Sequence, residues 1–131
     1  MMIDHTHLLA NAKEMAVGAD AEVKYRAAAS RAYYAFFHTA RAIAKGLALP
    51  ESGQEIYTSH AALFAQLAGC EKHHTPENML VRRLAYRARS STKNNRNHAD
   101  YELHKPFLPE QASDLMADAD FADTIHKKLF A

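Results

Sequence analysis

Between Asp20 and Gly46 the chain reads DAEVKYRAAASRAYYAFFHTARAIAKG, and this stretch decides the fold. Alanine recurs through it, and the whole chain holds only four glycines and four prolines, a composition that favours helix. At 100° per residue, Tyr25, Ala29, Ala32, Tyr33, Phe36, Phe37, Ala40, Ile43 and Leu47 fall on one broad arc. Lys24, Arg31, Tyr34, His38, Arg41 and Lys45 fall on the other. The large aromatics are expected to fill a core, and the alanines between them let neighbouring helices approach closely. Asp20 is the expected N-cap and Gly46 the expected stop. The result is one long central helix over about 20–45, roughly 39 Å long at about 1.5 Å per residue.

Shorter helices flank it. Asp4 is placed to cap a first helix running to Val17, with Gly18 as its end. A polar loop from Pro50 to Thr58 leads to Ser59, the expected cap of a short helix carrying Leu63, Phe64 and Leu67 and ended by Gly69. Thr75-Pro76-Glu77 combines a cap, proline at the first helical position and an acid in the first turn. The helix it starts buries Leu80, Val81, Leu84, Ala85 and Ala88, and its end is left open because Ser90 to Asn97 has weak helix propensity and no core spacing. Pro106 and Pro109 bracket a second connection. The last helix carries Leu115, Met116, Ala119, Ala122, Ile125 and Leu129 at helical intervals. The expectation is a single all-α domain over residues 1–131, a compact, mostly antiparallel bundle of about five helices.

Composition narrows the class of function. With 48% hydrophobic and 24% charged residues over 131 positions, the chain has the balance of a folded globular domain. Cys70 is the only cysteine, so no internal disulfide forms, which fits a reducing compartment. The N-terminus reads as no secretory signal, and no apolar run approaches the roughly 18 residues needed to cross a bilayer. A cytoplasmic protein without membrane contact is expected. The net charge of +1 hides an uneven distribution. From Asn78 to Ala99 there is no acid, yet Arg82, Arg83, Arg87, Arg89, Lys93 and Arg96 all fall there. From Pro106 to His126 there is no lysine or arginine, while Glu110, Asp114, Asp118, Asp120 and Asp123 are present. Either an anionic ligand meets the basic stretch, or two helices of opposite charge pack together. Neither His5-x-His7 nor His73-His74 belongs to a ligand set with zinc spacing, so no metal is expected. Nor does the chain hold a glycine-rich phosphate loop, a nucleophile elbow or a paired-carboxylate motif, and no cofactor is expected.

Two stretches go beyond generic helix. One is Ser30-Arg31-Ala32-Tyr33-Tyr34-Ala35-Phe36-Phe37-His38 within the run Tyr25 to Arg41; the other is Arg96-Asn97-His98-Ala99-Asp100-Tyr101. Together they resemble a bacterial branch of the HEPN family, and His60 near the start of the third helix fits that branch too. The resemblance covers most of the chain, from about Ala21 onward. It implies a helical bundle that forms a homodimer and binds RNA or nucleotide in a toxin–antitoxin, defence or regulatory system. It also implies a possible nucleotidyltransferase or antitoxin partner. Active members of the family are metal-independent endoribonucleases with an arginine, a polar residue after it, and a histidine four to six positions on. There the histidine handles a proton while the arginine stabilises charge on phosphate.

Arg96-Asn97 matches the opening of that motif, but Tyr101 stands where the histidine is expected. A phenol with a pKa near 10 is a poor base at neutral pH, so the resemblance implies binding with weak or no cleavage. The ligand set expected from it is Arg96, Asn97, Arg89, Lys93, Arg31, His38, Tyr101 and Asp100. An endoribonuclease using Arg96 with His98 or His104 is one alternative, and a non-catalytic module partnering a nucleotidyltransferase is another. On a continuous helix, however, His98 points about 200° away from Arg96. Arg96 and Asp100 also have a plain structural reading as an i, i+4 ion pair near a helix end, with Tyr101 as a wedge into the core. The stripe from Arg31 to Lys45 is equally readable as a solvated face, and His38 as a hydrogen-bonded histidine between helices.

Overall fold

A computed structural model describes residues 3–49, 59–69 and 76–130. Among them the fold is all-α: α1 (His5–Val17), α2 (Glu22–Gly46), α3 (Ser59–Ala68), α4 (Pro76–Arg87), a π-helical turn (Ala88–Thr92), α5 (Lys93–Tyr101) and α6 (Pro109–Phe130). The loop expected over 50–58, Cys70, His73-His74 and the Thr75 cap lie outside the described residues. Among the described residues no helix is long and apolar enough to cross a membrane.

Capping explains most of the boundaries. The Asp4 carboxylate accepts from the amides of Thr6 and His7, while His7 Nδ1 accepts from the Asp4 amide at 3.0 Å, a closed capping box. Asp20 does not cap α2. Ala21 takes the cap position without a side-chain bond, and Asp20 instead pairs with Lys24 at 2.7 Å. Ser59 is the first residue of α3 instead of its cap. Gly46 is the last residue of α2, where the Phe130 ring presses so close that a Cβ would meet it at 2.5 Å. The left-handed residue that turns the chain is Ala48, at φ 50°.

Side-chain contacts fix the helix directions. α1 runs antiparallel to α6, since the His5 ring meets His126 edge-on and Lys13 pairs with Asp120. α5 runs antiparallel to α2, with Arg26 at Ala99 and Tyr33 at Arg96. α6 runs antiparallel to the α4–α5 rod, with Gln111 beside His98 and Asp118 beside Arg87. The two longest helices are the exception. Phe107, just ahead of α6, meets Glu22, and Phe130 meets Gly46, so α2 and α6 run parallel.

Because α1, α3, α5 and α6 all pack on it, α2 buries more than one arc. The expected Ala29, Ala32, Tyr33, Phe36, Phe37, Ala40 and Ile43 are buried, and so are Arg26, Ala28, Ala35, Thr39 and Ala44. Lys24, Arg31, Tyr34, Arg41 and Lys45 are exposed, as their arc requires.

The stretch of weak propensity after Arg87 stays helical because tertiary contacts hold it. Thr92 is fully buried and donates to Asp118 Oδ2 at 2.5 Å. The other Asp118 oxygen takes Arg87 at 3.1 Å, and the Arg87 guanidinium lies 3.9 Å over the Phe121 ring. Burial raises the Asp118 carboxyl above its usual range although Thr92 and Arg87 both pull it down. Across this π-helical turn Ala88, Thr92 and Ala99 all stay buried on the inner side of the rod.

Candidate functional site

A concave pocket of about 570 Å³ opens where α2, α3 and the α4–α5 rod converge. Tyr33 and the α3 residues His60, Ala61, Phe64 and Ala65 form one side; Ala88, Arg89, Lys93, Arg96 and Asn97 form the other. It therefore gathers Arg96, Asn97, Arg89 and Lys93 from the expected ligand set and adds His60 and Tyr33 to them.

Arg96 is the most constrained cation. Its side chain is 19% exposed, and its guanidinium carbon lies 5.0 Å from the ring centroids of both Tyr33 and Tyr101. The buried Nε is 3.1 Å from Asp100 Oδ2, an ion pair whose N–H is not aligned to form a hydrogen bond. Burial by itself would lower the Arg96 pKa, but Tyr101, Tyr33, the Tyr34 hydroxyl and Asp100 together raise it, so it stays a cation. Arg89 and Lys93 are exposed at the rim and form no ion pair among the described residues.

His60 faces this cation from α3. Its ring stacks on Phe37 at 4.1 Å and lies parallel to Tyr33 at 5.5 Å, and its Nδ1 is hydrogen-bonded to the Tyr33 hydroxyl. Burial, then Arg96 and His38, lower the His60 pKa from its usual value, which keeps the imidazole neutral at neutral pH. Burial pushes the Tyr33 phenol up to about 12, so it keeps its proton. The site thus pairs a fixed cation with a neutral, hydrogen-bonded imidazole.

The remaining expected residues lie elsewhere. Asp100 backs Arg96, and Tyr101 is 68% exposed over its guanidinium, so it does not wedge into the core. His98 turns away from Arg96, as helical phase demands. Its Nδ1 is 2.8 Å from Gln111 Nε2 and its ring lies edge-on to Phe107, outside the pocket. His104 is exposed on the connection to α6 and does not line the pocket. Arg31 is exposed and does not line it either. His38 lies in a separate hollow with His5, Arg41 and Lys45, its pKa lowered by burial and then by Arg41 and His5. No group of three potential metal ligands occurs among the described residues; His7 completes the α1 capping box while the His5 ring meets His126 edge-on.

Sequence reading missed His60 and Tyr33 as site members because no spacing links two residues on different helices. The available signal was weak: Tyr33 and Phe37, one turn apart, offer a ring slot, and His60 is the histidine on the short helix that faces it. Comparison of the chain with models of protein families, with curated proteins and with solved structures gives no match.

Proposed function

We propose that this chain is a HEPN-like helical bundle that binds RNA or nucleotide through phosphate, in a bacterial toxin–antitoxin, defence or regulatory setting. One observation carries the reading. Arg96 is held as a cation between two tyrosine rings at the wall of a pocket whose rim carries two further cations, Arg89 and Lys93. Planar guanidinium groups recognise phosphate oxygens in pairs, and the Tyr33, His60 and Phe64 side chains supply an apolar, aromatic floor. The resemblance to HEPN proteins extends the reading to a homodimer with a nucleotidyltransferase or antitoxin partner. Fluorescence anisotropy of the purified chain with labelled RNA at low salt tests it. Arg96→Ala is expected to weaken binding at least about tenfold across sequences and to flatten its salt dependence, with the fold intact. Unchanged affinity in Arg96→Ala overturns the assignment.

A second reading, RNA cleavage, is favoured by the neutral His60 opposite Arg96. In that reaction His60 accepts the proton of the 2′-hydroxyl and the freed oxygen attacks phosphorus. The bond to the 5′-oxygen breaks, leaving a 2′,3′-cyclic phosphate, while the departing oxygen takes a proton and Arg96 stabilises the phosphorane charge. Cyclic-phosphate ends formed in EDTA by the native chain and lost in His60→Gln support it; intact RNA after prolonged incubation removes it.

A further inference from the structure

The pocket around Arg96 does not end at Arg89. A second hollow of about 440 Å³ begins there, lined by Ala68, Met79, Arg82, Arg83, Ala85, Tyr86 and Arg89 itself. Arg89 belongs to both, so the two form one groove between α3 and the α4–α5 rod. Its α3 wall presents Ala61, Ala65 and Ala68, about one turn apart, beside the rings of His60 and Phe64. The facing wall follows one helical stripe: Arg82, Tyr86, Arg89, Lys93 and Arg96, three or four positions apart, with Arg83 alongside. Through the π turn the rod remains unbroken, so this stripe is continuous.

Three observations point to what the groove takes. Of the six cations in the acid-free stretch Asn78 to Ala99, only Arg87 turns to α6 and pairs with Asp118. The other five line the groove, and Arg82, Arg83, Arg89 and Lys93 have no ion pair among the described residues. Helix packing therefore does not account for the charge. Secondly, Tyr86 is 73% exposed in the middle of these cations, an aromatic face left to solvent between phosphate-binding groups. Thirdly, the stripe from Arg82 to Arg96 measures roughly 21 Å at about 1.5 Å per residue. That is long enough for up to about six stacked nucleotides at about 3.4 Å each.

We infer that the groove between α3 and the α4–α5 rod binds a single strand of nucleic acid several nucleotides long, with a base on Tyr86 and backbone phosphates on Arg82, Arg83, Arg89 and Lys93. The inference rests on the phosphate-binding reading of the Arg96 pocket, which becomes one end of a longer track. A single strand fits because an exposed phenol stacks on an unpaired base, whereas the base faces of a duplex are closed. The alanine wall leaves room for the sugar and base to lie against α3.

The test uses the full chain with uridine monophosphate and with oligouridylates of two, four, six and eight nucleotides, followed by anisotropy. Affinity is expected to rise with length to about six nucleotides and then level off. Tyr86→Ala should lower hexamer affinity about tenfold and shrink the ratio of hexamer to mononucleotide affinity. Arg82→Gln with Arg83→Gln should reduce the slope of log affinity against log salt by about 0.7 for each phosphate that is no longer neutralised. Arg83 and Tyr86 are exposed and Arg82 is half-buried, and circular dichroism checks that the variants remain folded. A dinucleotide bound as tightly as the hexamer, a hexamer affinity indifferent to Tyr86→Ala, or equal affinity for a duplex of the same length would each overturn the track. Arg96-dependent mononucleotide binding surviving any of these would leave the pocket reading standing. Failure of every length to bind would sink both.

Discussion

Arg26 and Arg96 are both arginines of helices at the α2–α5 contact, yet they are used differently. The Arg26 guanidinium donates to the carbonyls of His98 at 2.8 Å, Ala99 at 3.0 Å and Glu102 at 3.2 Å, to the carbonyl of Lys105, and to Glu22 at 3.3 Å. Glu22 in turn accepts from the Phe107 amide, and Phe107 lies under the Arg26 guanidinium at 5.4 Å. One buried side chain thus satisfies the carbonyls left open at the end of α5 and anchors the connection into α6. Arg96, one turn before the end of α5, is held by ring faces, the Tyr34 hydroxyl and a single carboxylate, and it lines a pocket. What separates an arginine that builds the fold from one available to a ligand is whether its donors are already saturated.

Breaking Arg26 should therefore give the largest effect. Arg26→Ala leaves the buried Ala99 carbonyl and three half-buried ones without their donor, and is expected to cost about 3 kcal/mol by urea denaturation. Arg26→Lys should recover part of this and still cost about 2 kcal/mol, since a point charge on a flexible stem cannot reach the forked set of acceptors. A cost below about 1 kcal/mol in Arg26→Ala would mean that the hub is decoration.

Acid titration should separate the two regions further. His60 has a folded pKa lowered from about 6.5, mainly by burial, so its neutral form is favoured in the fold. Its contribution to stability is complete above about 6.5 and is lost as pH falls through the depressed folded value. Glu22 is lowered from 4.5, chiefly by the Phe107 amide with Arg26 assisting, so its contribution is present above 4.5 and is lost below that. Unfolding midpoints of the native chain, His60→Gln and Glu22→Gln across this range check the order. The pocket variant should lose pH dependence in the upper window, and the hub variant in the lower one.

The smallest effect on stability is expected at Arg96. Arg96→Ala removes a partly exposed ion pair and two ring contacts, and should cost about 1 kcal/mol or less. The same change should abolish most ligand affinity. A loss as large as that of Arg26→Ala would make Arg96 a second structural hub and erase the contrast.

The apolar arc of α2, the Asp4 cap, the Pro76 helix start and the apolar positions of α6 could all be read along the chain. They depend on neighbours within one or two turns, which is the range over which helical phase and capping act. That same phase correctly sent His98 away from Arg96. The continuity of the rod through Ala88–Thr92 could not be read, because its weak propensity is overridden by Asp118, 26 positions away from Thr92. Nor could the role of Arg26, whose acceptors are carbonyls 72 to 79 positions later and leave no mark on side-chain patterning. The sequence by itself determined that these residues form helices and that a cation-rich stretch lies apart from an acidic one. Only the tertiary structure decided that Tyr33, His60 and Arg96 meet, and that Arg87 turns to an acid of α6 while the other basic side chains of that stretch line a groove. Periodicity specifies which way a side chain points from its own helix, and the packing of helices distant in sequence specifies what it finds there.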